Sequence, residues 1–118
     1  MNVKEFLERF KKAAKESGLD VVPTKDNMNA LIDLRITRKI RKEIIFKLKE
    51  GQYYSGPVQD RDRPGEVWIF RVKYDGIVIY TKLKLTEKDY GDKAKCLSFH
   101  RAKFSMDKKE KININKRA

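Results

Sequence analysis

His100 is the only histidine of the chain, and it sits in Cys96-Leu97-Ser98-Phe99-His100-Arg101 beside the only cysteine. An imidazole gives and takes protons near neutral pH. RNA cleavage without a metal needs a base for the 2′-hydroxyl, positive charge for the pentavalent phosphorane and an acid for the leaving 5′-oxygen. His100 is the candidate acid/base; Arg71 and Lys82 are the candidate phosphate cations; Tyr80 would orient the phosphate or share in proton transfer. A histidine near lysines is more often non-catalytic, so the position of these side chains decides the matter.

Alternation supplies that position. Glu66–Tyr74 and Ile77–Thr86 read as strands joined by Asp75-Gly76, the strongest short hairpin signal available. A two-residue turn pairs Tyr74 with Ile77, Val72 with Ile79, Phe70 with Thr81 and Trp68 with Leu83 on an apolar face that must pack against helices. The opposite face pairs Lys73 with Val78, Arg71 with Tyr80, Ile69 with Lys82 and Val67 with Lys84. Like charges gathered on one face repel and stabilise no fold by themselves, so that face reads as a phosphate-binding surface rather than a merely solvated one. In a third strand, from Ala94 to about Arg101, Leu97 and Phe99 are expected on the apolar face, with Cys96, Ser98 and His100 on the basic one. A slip of one residue would expose Leu97 and Phe99, at ~1.5–3 kcal/mol each.

The N-terminal half has helical periodicity. Val3 to about Ser17 carries Val3, Phe6, Leu7, Phe10, Ala13 and Ala14 on one side and ends at Gly18. "LDVVP" reads as a short strand or loop. A second helix is expected over Asp26–Leu34 with Asp26 as N-cap, and a third over Arg38–Glu50, capped by Thr37 and stopped by Gly51. The stretch from Gln52 to Glu66, rich in turn residues, reads as a loop carrying Arg61 and Arg63.

The formal charge of +12, from 29 Lys and Arg against 17 Asp and Glu in 118 residues, points to an anionic partner, with nucleic acid first. Heat-adapted or AT-rich composition is the bland alternative. One cysteine excludes an internal disulfide and a multi-cysteine metal site. No apolar run is long enough for a membrane span and the charged N-terminus lacks the apolar core of a signal peptide, so a soluble cytoplasmic protein that does not enter a membrane is expected.

Other chemistries fit less well. Asp60, Asp62 and Glu66 cluster, but Arg61 and Arg63 alternate with them, which favours salt bridging or turn capping over a metal site. No phosphate-cradling glycine loop or nucleophile elbow is present. Cys96, mid-strand in an apolar run, reads as structural.

The stretches "TRKIRKEIIFKL", "QYYSGPVQDRDRPGEVWIF", "VIYTKLKL" and "CLSFHRA", in that order over roughly residues 31–102, resemble the MqsR family of type II toxin–antitoxin toxins. Members show an aromatic pair, a small loop, a tryptophan strand, a Tyr-x-Lys strand and a Ser-Phe strand. The resemblance implies a RelE-like α+β fold, a small twisted antiparallel sheet with helices on one side. It also implies mRNA interferase (endoribonuclease) activity without a cofactor, and neutralisation by a cognate antitoxin protein. The family's Tyr and Lys fall on Tyr80 and Lys82, and its basic residue after Ser-Phe falls on His100. Two positions depart from the best-studied branch: its lysine after the aromatic pair is Ser55 here, and its glutamine after the tryptophan is Ile69.

The expectation is thus one α+β domain over residues 1–102 and a basic, mobile tail over 103–118, in which Ile112 and Ile114 alternate as in a short edge strand or a segment ordered by a partner. RNA would lie on the basic face, with His100, Tyr80, Lys82 and Arg71 catalytic, no metal, and Lys73, Lys84, Arg101, Arg61 and Arg63 on flanking phosphates. A non-catalytic nucleic-acid-binding module using the same face is the rival, and an interaction protein matched to an acidic partner is the third reading.

Overall fold

Apolar residues recurring at helical spacing on α1 (Val3–Ser17) bury Phe6, Leu7, Phe10, Ala13 and Ala14 and leave the charged side in solvent. The computed structural model describes residues 1–107. After α1 come β1 (Leu19–Val21), α2 (Lys25–Asp33) and α3 (Arg38–Phe46), then β2 (Tyr53–Gln59), β3 (Glu66–Tyr74), β4 (Ile77–Lys88) and β5 (Gly91–Arg101). The fold is α+β: three helices, mostly N-terminal, packed on one five-stranded sheet in the order β1-β5-β4-β3-β2. Only β1 runs parallel to its neighbour, so the sheet is mixed and largely antiparallel. No described helix is long and apolar enough to cross a membrane.

The hairpin follows the alternation. Asp75 and Gly76 both take positive φ, at 50° and 77°, the geometry of the tight turn that matches strand twist. The register from Val67↔Lys84 to Tyr74↔Ile77 is the expected one. Trp68, Phe70, Val72, Ile79 and Leu83 are buried with Phe6 and Phe10 of α1, and Phe6 stacks on Trp68 at 4.7 Å between ring centroids.

Helix boundaries shift. Thr24 caps α2, accepting from Asn27 N, so Asp26 lies inside the first turn instead of at the cap. α3 ends at Phe46, four residues before the expected Glu50. The first half of the stretch expected as a loop is strand β2, an edge strand, where a proline's missing N–H is tolerated; residues 60–65 remain a turn. Its register is irregular around Gly56-Pro57. Gly56 has φ +110°, and a Cβ there would meet Val67 O at 2.7 Å, so only glycine lets β2 approach β3.

β5 departs from a straight strand. Lys82 pairs with Ser98 and Leu83 with Cys96, which leaves Leu97 as the extra residue of a bulge. The parity therefore flips within β5: Ala94, Cys96 and Phe99 all face the helices and are buried. Cys96 thus lies in the core instead of on the basic face, and Leu97 is half-buried instead of a core residue. Asn27, 1% exposed, secures the bulge. Its amide donates to Leu97 O at 2.9 Å and to Val22 O at 2.8 Å and accepts from Phe99 N at 2.8 Å, continuing the β1 ladder with a side chain.

The body also extends past Ala102. Ala102 N donates to Val78 O, Met106 is 3% exposed and Lys103 pairs with Asp26. Residues 103–107 are therefore part of the packed structure; the rest of the expected tail, with Ile112 and Ile114, lies outside the described residues.

Candidate functional site

Three adjacent strands bring Arg71, Tyr80 and His100 into one row, because Arg71 pairs with Tyr80 and Tyr80 pairs with His100. Directly opposed residues on one sheet face have Cβ atoms ~4.5–5.5 Å apart. The Tyr80 and His100 rings stack, with centroids 5.6 Å apart and planes 24° from parallel. Lys82 lies in the next row, between Ile69 and Ser98. The four residues expected to do chemistry therefore share the sheet face turned away from the helices.

Local contacts set the state of two of them. His100 Nδ1 lies 3.0 Å from Arg101 O. A carbonyl oxygen only accepts, so this contact is a hydrogen bond only when Nδ1 carries the proton, which leaves the Nε2 lone pair for a substrate. Burial pushes the Tyr80 phenol above its ordinary value. At neutral pH it is therefore a proton-bearing donor, suited to hold a phosphate oxygen.

The flanking cations are distributed differently from the expectation. Lys84 points to the outer face but is 5% exposed, and its Nζ lies 2.8 Å from Asp60 Oδ2. The Lys84 ammonium and the Asp62 amide hold the Asp60 carboxyl down to about 2. The 60–65 turn folds over this ammonium, with Gly65 at φ +116° and so close that a Cβ would meet Lys84 Cε at 2.9 Å. Lys84 is thus a structural cation. Arg101 stands opposite Ile79, on the parity of the helices, and its guanidinium pairs with Asp33 at 3.1 Å. Arg61 and Arg63 are exposed in the 60–65 turn, which folds over Lys84, itself two same-face rows, ~13 Å, along β4 from Tyr80. Lys73 is exposed one row from Arg71 on the other side. Of the expected flanking contacts, only Lys73 therefore stands beside the central row with its ammonium exposed.

Three residues join the face that the sequence reading did not name. Phe104 packs edge-on to Tyr80 at 5.8 Å and lies 6.4 Å from Tyr54, while remaining 53% exposed. Tyr54, Tyr80, His100 and Phe104 form a continuous aromatic surface. Lys95 opposes Lys84 on the outer face because the bulge reverses the parity of β5. A cleft of about 410 Å³ opens beside this surface, bounded by Arg71, Val78, Arg101, Phe104 and Met106 among others. Tyr54 was legible in principle, as the alternate residue to core-facing Tyr53; Phe104 had no local signal, since a chain reversal after β5 carries it there.

Compared with protein-family models, with curated proteins and with solved structures, the chain finds no match. What this face can do is set by its own geometry: cations for phosphate, ring faces for bases and one imidazole with an available lone pair.

Proposed function

We propose that the protein is a metal-independent endoribonuclease that holds single-stranded RNA across the outer sheet face. It would act as the toxin of a type II toxin–antitoxin system of the MqsR kind, neutralised by a protein antitoxin. One observation carries the reading: Arg71, Tyr80 and His100 are in-register neighbours, and His100 Nε2 has no hydrogen-bond partner among the described residues. Bases would stack on Tyr54 and Phe104, whose rings accept any base. Arg71 and Lys82 neutralise the scissile phosphate, and the Tyr80 phenol donates to one of its oxygens. His100 Nε2 takes the proton of the 2′-hydroxyl. The 2′-oxygen bonds to phosphorus as the bond to the 5′-oxygen breaks; the leaving 5′-oxygen takes a proton from water, and His100 gives the 2′-hydroxyl proton up to the solvent, so the protons balance. The products are a 2′,3′-cyclic phosphate and a 5′-hydroxyl.

A non-catalytic RNA-binding module is the second reading, favoured by the same aromatic platform and by Ser55 and Ile69 standing where the resembled branch has lysine and glutamine. His100→Asn separates the two. The variant is incubated with mixed-sequence RNA in EDTA beside the wild type. Cleavage lost with RNA binding retained supports the nuclease; a wild type that shifts RNA on a gel without cutting it supports the module.

A further inference from the structure

The β1 edge of the molecule carries a second charged site, between helices and strand instead of on the outer sheet face. A cleft of about 500 Å³ lies between α3, α2 and the edge strand β1. One wall is Arg38, Arg41 and Lys42, spaced i, i+3 and i+4 along α3, and no carboxylate lines the cleft. The other is apolar, from Val21, Met28 and Leu31. Met28 and Ile32, one turn apart on α2, are 61% and 81% exposed, an unusual position for large apolar side chains. Arg41 is half-buried, its guanidinium has no hydrogen-bond or ion-pair partner among the described residues, and burial lowers its affinity for its proton. A partly desolvated, unpaired guanidinium is costly unless an anion meets it.

The floor of the cleft supplies main-chain groups. Val22 N donates to Cys96 O at 3.0 Å, so strand alternation turns the N–H and C=O of Val21 to the opposite side, where no strand of the sheet follows. An occupant that uses every wall has three properties: an extended backbone to pair with Val21, acidic side chains for Arg38 and Arg41, and apolar side chains for Met28 and Leu31. RNA lacks the strand-forming backbone. A second copy of this chain, at +12, has the wrong charge, as has its own sequence over 108–118, with five Lys or Arg and one Glu.

We propose that the β1–α2–α3 cleft is a docking site for an acidic, partly apolar segment of another protein, bound as an added strand along β1. The site does not depend on the chemistry assigned to the outer face.

The test uses the full chain and a fluorescein-labelled peptide of about ten residues in which glutamate alternates with valine. Anisotropy should report binding in the micromolar range, ~1–100 µM. Arg41→Gln should weaken it at least about tenfold, and a proline in place of the central valine of the peptide should weaken it similarly. Lys73→Gln, on the outer face, should leave it unchanged. Because Arg41 is partly buried, exposed Arg38→Gln carries the same test without threatening the fold. Amide resonances of Val21 and Leu31 should shift on titration. No binding by ~1 mM peptide, full binding by both cleft variants, loss of binding in Lys73→Gln, or displacement of the peptide by an oligouridylate of equal length would each overturn the proposal.

Discussion

Tyr80 and His100 oppose one another across β4 and β5 with their rings stacked 5.6 Å apart. The stack fixes the plane of the imidazole, and the Arg101 carbonyl fixes its tautomer. A histidine on a solvated face would have neither constraint. Tyr80→Phe keeps the stack and loses the phenol; Tyr80→Ala loses both. Cleavage should fall about tenfold in the first and about a hundredfold or more in the second, read as single-turnover rates on one RNA.

Lys82 and Lys84 are two residues apart on the same face, yet their roles separate. Lys82→Gln should weaken RNA binding and reduce the slope of log K against log salt by about one. Lys84→Gln should leave that slope unchanged, because its ammonium already belongs to Asp60. It should instead lower stability by about 1–3 kcal/mol in urea unfolding, as loss of a charge-assisted hydrogen bond in a part-buried pair does.

That pair also predicts an acid dependence. The Asp60 carboxyl sits at about 2, below its ordinary 3.8. A depressed carboxylate stabilises the fold fully above the ordinary value and progressively less as pH falls toward the folded one. Between pH 5 and pH 2.5 the wild type should lose more of its urea midpoint than Asp60→Asn, which has no such carboxylate to protonate.

Much of this arrangement was legible from period alone. The Asp75-Gly76 turn set the pairing of β3 with β4, and through it the two faces, because a tight hairpin leaves no freedom of register. His100 reached the outer face as expected, but Cys96 and Leu97 exchanged sides at the bulge. A straight strand through Phe99 also turns Lys95 and Lys93 inward, and two buried lysines were the signal that β5 could not be straight. β2 was hidden by its composition: Gly56-Pro57 reads as a turn, whereas an edge strand accommodates it. The Phe104 contact and the loss of Lys84 to Asp60 arise from chain segments folding over the sheet, which no local pattern encodes.

Asn27 replaces a strand at the bulge. Asn27→Ala leaves Leu97 O and Phe99 N without their partner and should cost about 3 kcal/mol or more. Asn27→Asp keeps the acceptor but loses both donated bonds, and should be nearly as damaging; thermal unfolding of both variants checks this.

Thr81 points the other way. Its Oγ1 is buried with no partner among the described residues, between Phe70 and Phe99 on the core face. Thr81→Val replaces the hydroxyl with a methyl of similar shape and should stabilise the protein by about 1 kcal/mol, read from the urea midpoint.

The central claim is that His100 drives attack by the RNA's own 2′-oxygen. Its most direct test is the mass of the product ends formed in EDTA by the wild-type protein, with a matched RNA carrying 2′-deoxy sugars at the cleaved positions as control. The account predicts 2′,3′-cyclic phosphate and 5′-hydroxyl ends from the ribose substrate and no cutting of the deoxy one. Products with 5′-phosphate and 3′-hydroxyl ends, or equal cleavage of the deoxy substrate, would contradict it.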